Sequence, residues 1–197
     1  MKNKESITGV ILAGGLARRM DHQDKGLVNF KGLPLINYAI TAMQPVVDEL
    51  IINANRNIGD YRQFGLPVIS DQSDNFDGPL AGILTAMDYC QTEVLLVMPC
   101  DSPLMRSAQL QTLIDRRYEQ NADAAVAVVG GRWHPVFLAI KTALKTDLQA
   151  YLAGGHRKVE TWLMQYKTLP VDFSSQPGLF MNINTLDELV KLERQHL

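Results

Sequence analysis

The sequence predicts an α/β protein in three layers, with a mainly parallel but mixed sheet at its centre. Three observations lead there. Short β-branched runs recur and end in glycine, asparagine, aspartate or cysteine; segments with apolar residues at helical spacing stand between them; and the alternation holds from residue 8 to residue 130. Strands that alternate with helices imply right-handed crossovers and parallel neighbours.

The elements follow in order. "TGVILAG" (8–14) is continuously apolar and closes on glycine, as a strand buried on both faces does. From Pro34, suited to a first helical position, Leu35, Ile36, Ala39, Ile40 and Met43 share one helical face. "ELIINAN" (49–55) is a second strand and "LPVIS" (66–70) a short third. Gly78-Pro79 opens a helix whose apolar residues are Leu80, Ile83, Leu84 and Met87. "EVLLVMP" (93–99) is a fourth strand, followed by "CDSP". A helix over 107–119 and a strand "DAAVAVVG" (123–130) come next, then "RWHPVFLAI" (132–140), which fits an antiparallel strand. Helices are expected at 142–153 and 157–166, and "GLFMNIN" (178–184) reads as a strand. Thr185-Leu186-Asp187-Glu188 is a capping box that starts a last helix.

Composition excludes several classes. The chain has 197 residues, is 46% hydrophobic and 20% charged, and carries a formal net charge of −2. No global positive field draws it to nucleic acid or to an anionic membrane, so neither is expected as a partner. No run approaches the roughly 20 apolar residues of a membrane span. The N-terminal apolar stretch is short and runs into glycine and arginine, unlike a signal peptide. Cys90 and Cys100 make no C-x-x-C pair and read as reduced thiols, so a cytoplasmic protein is expected.

In an open α/β sheet, ligands bind beyond the carboxyl ends of the strands. Four such ends carry small, amide or carboxylate residues: Leu12-Ala13-Gly14-Gly15, Asn53-Ala54-Asn55, Asp71, and Cys100-Asp101. The usual winding puts the fourth strand beside the first, so Asp101 should lie next to the glycine loop. Glycines let backbone N–H groups approach an anion closely. Arg18, Arg19 and Lys25 follow within a dozen residues and suit phosphate. Asp101 offers a hard oxygen for magnesium. Together these residues predict a nucleoside triphosphate site with its metal. Neither G-x-x-x-x-G-K-[ST] nor G-x-G-x-x-G occurs, so the site is neither a Walker loop nor a dinucleotide fold.

"LAGGLARRM" with "DKGL" resembles the signature of nucleotidyltransferases with a Rossmann-like, glycosyltransferase-A-like fold. "ITGVILAGG", "INANR", "GPLAG", "PCDSP", "HPVFLAI" and "NINTLDEL" occur in the order found in molybdenum cofactor guanylyltransferases, and the likeness spans nearly the whole chain. The resemblance implies transfer of GMP from GTP to molybdenum-molybdopterin with release of pyrophosphate and use of Mg2+. It makes Leu12, Ala13, Gly14, Lys25, Asn53, Asp71 and Asp101 GTP contacts and Asp101 a magnesium ligand. Gly15 belongs to the same loop. One departure is Asp21, where the family usually has glycine.

On that basis residues 1–197 form one nucleotidyltransferase domain, with a nucleotide-binding half at 1–105 and an acceptor-binding half at 106–197. Lys25 and Arg19 are assigned to the triphosphate. Asn182 and Asn184 are candidates for a second metal contact, because two residues apart in a strand both amides point one way; Met181 and Ile183 should then face the core. Asn53 and the backbone of 12–14 suit the guanine edge, and Asp71 suits guanine or ribose. Arg132 and His134, with "GGHRK" (154–158), suit an anionic, aromatic acceptor. The chain is expected to act as a monomer with transient protein partners in cofactor delivery. Competing readings are a related transferase using CTP or a sugar-phosphate acceptor, and a non-catalytic nucleotide-binding module. For single residues the plain alternatives are helix capping for Asp71 and Asp101, turn chemistry for the asparagines, and a buried inert thiol for Cys100.

Overall fold

The computed structural model describes residues 5–14, 24–71 and 78–195. Its elements run β1 (Ile7–Leu12), β2 (Asn29–Phe30), β3 (Leu33–Pro34), α1 (Leu35–Met43), β4 (Glu49–Asn53), α2 (Ile58–Arg62) and β5 (Val68–Ile69). They continue with α3 (Pro79–Tyr89), β6 (Val94–Pro99), α4 (Ser107–Glu119), β7 (Ala124–Val129), β8 (Arg132–Lys141), α5 (Lys145–Ala153), α6 (Val159–Leu163), β9 (Thr168–Asp172) and α7 (Leu186–Gln195).

Seven strands pair in the order β5-β4-β1-β6-β8-β7-β9, and β2 and β3 form a separate hairpin. β5, β4, β1 and β6 are parallel, with Leu12 opposite both Asn53 and Pro99. β8 runs antiparallel to both β6 and β7, while β9 is parallel to β7. This is the mixed α/β sheet expected from the sequence, and β1 is the strand from which the winding departs in both directions.

The pleat explains why the strands read as unbroken apolar runs. Ile11, Ile52, Leu96 and Met98 join a core with Ile36, Met43, Leu110 and Leu113 of α1 and α4. Their neighbours Val10, Ile51, Leu95 and Val97 join a second core with Leu80, Ile83, Leu148 and Trp162 of α3, α5 and α6. Both faces are covered, so both positions of the period must be apolar. A third, smaller core holds Val28, Phe30, Leu35, Ile183, Leu189 and Leu192 and joins the hairpin to α7.

Several elements differ from expectation. The 178–184 stretch is not a sheet strand. Pro177–Phe180 forms a 3₁₀ turn, and residues 181–184 cross the rim of the sheet, with Ile183 N donating to Asp101 O at 2.9 Å. Pro177 lacks an N–H and cannot join a ladder, which favours the turn. Ile183 is buried as expected, but Met181 is 41% exposed. The last strand is instead β9, which contains Pro170. A proline within a strand is tolerated at an edge, and β9 is an edge strand. Pro34 is extended and ends the hairpin, so helix α1 starts one residue later at Leu35. The capping box forms half as drawn: Glu188 N donates to Thr185 Oγ1 at 3.2 Å, but the Glu188 carboxylate accepts from Asn184 N at 2.7 Å. Both cysteines are free and buried. Among the described residues no helix is long and apolar enough to cross a membrane.

Candidate active site

Backbone hydrogen bonds outlast the strands on one side of the sheet. Ala13 N donates to Asn53 O at 2.8 Å, Cys100 N to Leu12 O at 3.1 Å, and Ala54 N to Ile69 O at 2.9 Å. The exits of β1, β4, β5 and β6 are therefore stitched into one rim. A cavity of about 280 Å³ opens there, lined by Leu12, Ala13, Gly14, Lys25, Asn53, Asp71, Asp101 and Asn182 of the sequence-predicted residues. A larger groove of about 470 Å³ lies beside Leu33, Tyr38 and Arg106. Convergent polar groups, not volume, distinguish the first as the site.

The ionic corner of the cavity joins three distant segments. Lys25 Nζ donates to Asp101 Oδ2 at 3.1 Å and to Asn184 Oδ1 at 2.8 Å. Asp101 is 7% exposed, and its other oxygen, Oδ1, is buried with no hydrogen-bond partner among the described residues. Asn182 Oδ1 accepts from Ser102 Oγ at 2.8 Å, and Asn184 Nδ2 donates to Asn182 O at 3.4 Å. Asn184 thus reaches the site through Lys25, not as a residue of the cavity wall. Asp101 is no helix cap, since α4 begins only at Ser107.

The opposite corner is an amide–carboxylate lattice. Asn53 Nδ2 donates to Asp71 Oδ1 at 2.9 Å, Asn55 Nδ2 to Asp71 Oδ2 at 2.8 Å, and Asp71 N to Asn55 Oδ1 at 2.8 Å. Thr85 Oγ1 adds a donor to Asp71 Oδ1 at 3.3 Å. Asn53 is 2% exposed, so its amide is fixed, with the nitrogen committed to Asp71. Gly82, inside α3, makes this possible. A Cβ at Gly82 would overlap Asn53 Oδ1 and come within 2.9 Å of Leu12 Cδ2. Alanine is better than glycine in a helix by roughly 0.5–1 kcal/mol, but forcing a methyl into this contact costs about 1–3 kcal/mol. Gly82→Ala should therefore lower the melting temperature despite improving helix propensity, and calorimetry checks the sign.

Sequence reasoning missed Gly82, Gly78, Pro79, Pro99, Val136 and Asp24, all of which line the cavity. A glycine in the middle of an otherwise regular apolar helix was the available signal for Gly82. Cys100 also lines it. Burial, with the Asp101 and Asp24 carboxylates nearby, pushes the Cys100 thiol well above its ordinary range, so it stays protonated and is not a nucleophile.

A family profile described as a MobA-like NTP transferase domain matches residues 9–169. The chain belongs to that family. A protein of Shewanella sediminis named molybdenum cofactor guanylyltransferase is 44% identical over 186 residues, covering 94% of this chain and 95% of its own length. A Shewanella amazonensis protein of the same name is 44% identical over 188 residues, covering 95% of this chain and 96% of its own length. Among solved structures, molybdopterin-guanine dinucleotide biosynthesis protein A from Archaeoglobus fulgidus superposes with a TM-score of 0.79 at 20% identity, over 96% of this chain and 98% of that one. A CMP:2-keto-3-deoxy-manno-octonic acid synthetase complexed with CTP superposes at 0.71 and 15% identity, over 99% of this chain and 100% of that one. These two likenesses establish a nucleotidyltransferase fold.

The MobA-like segment contains most of the predicted site, and only Asn182 and Asn184 lie beyond residue 169. Gly15, Arg18, Arg19 and Asp21 lie outside the described residues. The basic residues expected to meet an acceptor are dispersed. Arg157 Nη1 donates to Leu152 O and His156 O, both at 2.8 Å, and so closes the end of α5, while Lys158 takes the N-cap position of α6, as the segment's place before a helix implied. His156 stacks on Tyr151 with centroids 4.8 Å apart. His134 packs on Phe180 at 5.6 Å and Phe137 at 6.4 Å, and burial, aided by Arg132, lowers its pKa. Its strand also contributes Val136 to the cavity wall.

Proposed function

We propose that this chain transfers GMP from GTP to molybdenum-molybdopterin, releasing pyrophosphate and forming the guanine dinucleotide form of the cofactor. The observation that carries the reading is the 44% identity, over nearly all of both chains, to a molybdenum cofactor guanylyltransferase. The cavity supports it by joining an ionic corner to a fixed amide lattice at the departure point of the sheet.

In the proposed reaction an oxygen of the pterin's terminal phosphate attacks the α-phosphorus of GTP. The bond from that phosphorus to the bridging oxygen of the β-phosphate breaks, and pyrophosphate leaves. The acceptor is already anionic and needs little general-base help. What the chain must supply is alignment and positive charge. Lys25 and Arg19 are assigned to the triphosphate. Backbone groups of Leu12, Ala13, Gly14 and Gly15 are assigned to the nucleotide, with Asn53 at the guanine edge. With its nitrogen held by Asp71, Asn53 presents a carbonyl acceptor suited to the N–H donors of guanine. Asp71 acts at the same end, as the anchor of that amide and as a ribose or base contact.

The donor set fits a magnesium ion. Asp101 Oδ1 is a buried hard oxygen with no hydrogen-bond partner among the described residues. Mg2+ is commonly held by one or two carboxylates, with phosphates and water completing the shell. When bound, it neutralises charge on the phosphates. Asp101 would hold it, with Asn182 or Asn184 beside it. In this reading the chain is a single catalytic unit, with its nucleotide half at 1–105 and its acceptor half at 106–197, and acts as a cytoplasmic monomer that meets delivery proteins transiently.

The test is incubation with GTP, Mg2+ and molybdenum-molybdopterin, with identification of the product. Pyrophosphate release with GTP and not with CTP is expected. Release with CTP instead would reassign the chain as a cytidylyltransferase, and release with neither would end the proposal.

A further inference from the structure

We infer that Asp24 is a positioning residue: its carboxylate, latched by Tyr61 and Asn57, holds the turn that places the Lys25 ammonium between Asp101 and Asn184. Only the kinetic consequence of this latch rests on the guanylyl-transfer reading.

Asp24 lines the nucleotide cavity and is 7% exposed, which by itself suits a second metal ligand. Its oxygens are already engaged. Oδ1 accepts from the Tyr61 hydroxyl and from Gly26 N at 3.3 Å, and Oδ2 accepts from Asn57 Nδ2 at 3.2 Å. Three donors use most of the roughly four lone-pair sites of a carboxylate, so little remains for a metal. What the carboxylate holds is local backbone: Asp24 is the N-cap of the Lys25–Leu27 3₁₀ turn. The braces come from 33 and 37 residues away, on the segment that leaves β4.

The surroundings are shaped for this contact. Gly26 is buried, and a Cβ there would overlap the Tyr61 hydroxyl and lie 3.1 Å from Tyr61 Cε1, so glycine alone lets the turn rest against the phenol. Asn57 sits at φ 50°, a left-handed conformation that asparagine tolerates and that opens α2. Tyr61 is fully buried, and burial raises its phenol far above the ordinary range, so it remains a donor at any working pH. Four side-chain choices thus serve one turn, whose product is the position of Lys25. The latch also ties the phosphate corner to the amide corner, since Asn53 and Asn57 leave the same strand.

The test compares lysine reactivity in the full chain without substrates, using a small acylating reagent and mass spectrometry. Lys141, paired with Asp123 at 3.0 Å, and Lys145, paired with Asp88 at 3.3 Å, serve as internal references. In Tyr61→Phe, acylation of Lys25 should rise about three- to ten-fold, the factor one lost hydrogen bond is worth, with both reference lysines unchanged. Asp24→Asn, which keeps the volume, should do the same. Unchanged Lys25 labelling in both variants overturns the latch; so does a rise of all three lysines together, which reports general loosening. The kinetic arm is a double-mutant cycle. Tyr61→Phe should reduce kcat/KM for GTP by a similar factor in the wild-type background and have no further effect in Lys25→Ala. Equal losses in both backgrounds overturn it. A wild-type chain that transfers no GMP would refute the guanylyl-transfer reading, while the labelling result still decides the latch.

Discussion

Asp101→Ala is expected to reduce metal-dependent guanylyl transfer by about a thousandfold while leaving the chain folded, an effect on the scale of losing a main transition-state contact. The separation of activity from stability follows from the hydrogen bonds. Among the described residues Asp101 Oδ1 has no partner to lose, and the Asp101 backbone carbonyl keeps the Ile183 N–H. Lys25, the ion-pair partner of Asp101, has a side chain 27% exposed and keeps Asn184. Partly exposed pairs contribute up to about 1 kcal/mol, which in a chain this size moves the melting temperature by roughly 2–4 °C. A transfer assay and a thermal melt on the same sample decide the matter. Turnover near the wild-type rate would remove Asp101 from the metal site.

Lys25→Ala is expected to lower kcat/KM for GTP by about a hundred- to a thousandfold, again the scale of one electrostatic contact at a reacting phosphate. Its stability signature should be the opposite of the first. The alanine strips Asp101 Oδ2 of its cation while Oδ1 has no partner among the described residues, so those residues leave a carboxylate that is only 10% exposed without a donor. Leaving a buried polar group unsatisfied costs about 1–3 kcal/mol or more when it is charged. Lys25→Ala should therefore melt lower than Asp101→Ala, and the double variant should regain part of the loss. Millimolar Mg2+ should raise the melting temperature of Lys25→Ala and leave that of Asp101→Ala unchanged, because a ligand stabilises only the form that binds it. A Lys25→Ala chain that melts like wild type would remove the ammonium's role at Asp101.

The central strands were legible because burial on both faces writes an unbroken apolar run, as in "VLLVMP" and "AAVAVV". The neighbourhood of Asp101 and the first-strand exit was legible through winding rules alone. What escaped did so for identifiable reasons. β9 contains Pro170, which argues against a strand until the strand is known to be an edge. β2 and β3 are two residues each, too short for any period to register. Residues 178–184 alternate like a strand, but Pro177 and the turn after it send them across the rim. Asp24 stood beside Lys25 in the sequence as one more loop charge, because the tyrosine and asparagine that define its role are remote in the chain.

The small core between the β2–β3 hairpin and α7 has a mechanical consequence. It is separate from both cores that sandwich the sheet, and Glu193 adds a 2.8 Å bond to Lys31 N at the hairpin tip. Lys25 precedes the hairpin and Asn184 precedes α7, so this patch clasps the two ends of the bond between them. Mild heat or dilute urea should unfasten the clasp first, and amide exchange in α7 should accelerate while β1 and β6 stay protected. Catalytic decline would then run ahead of the circular-dichroism transition, as inactivation from the tail inward.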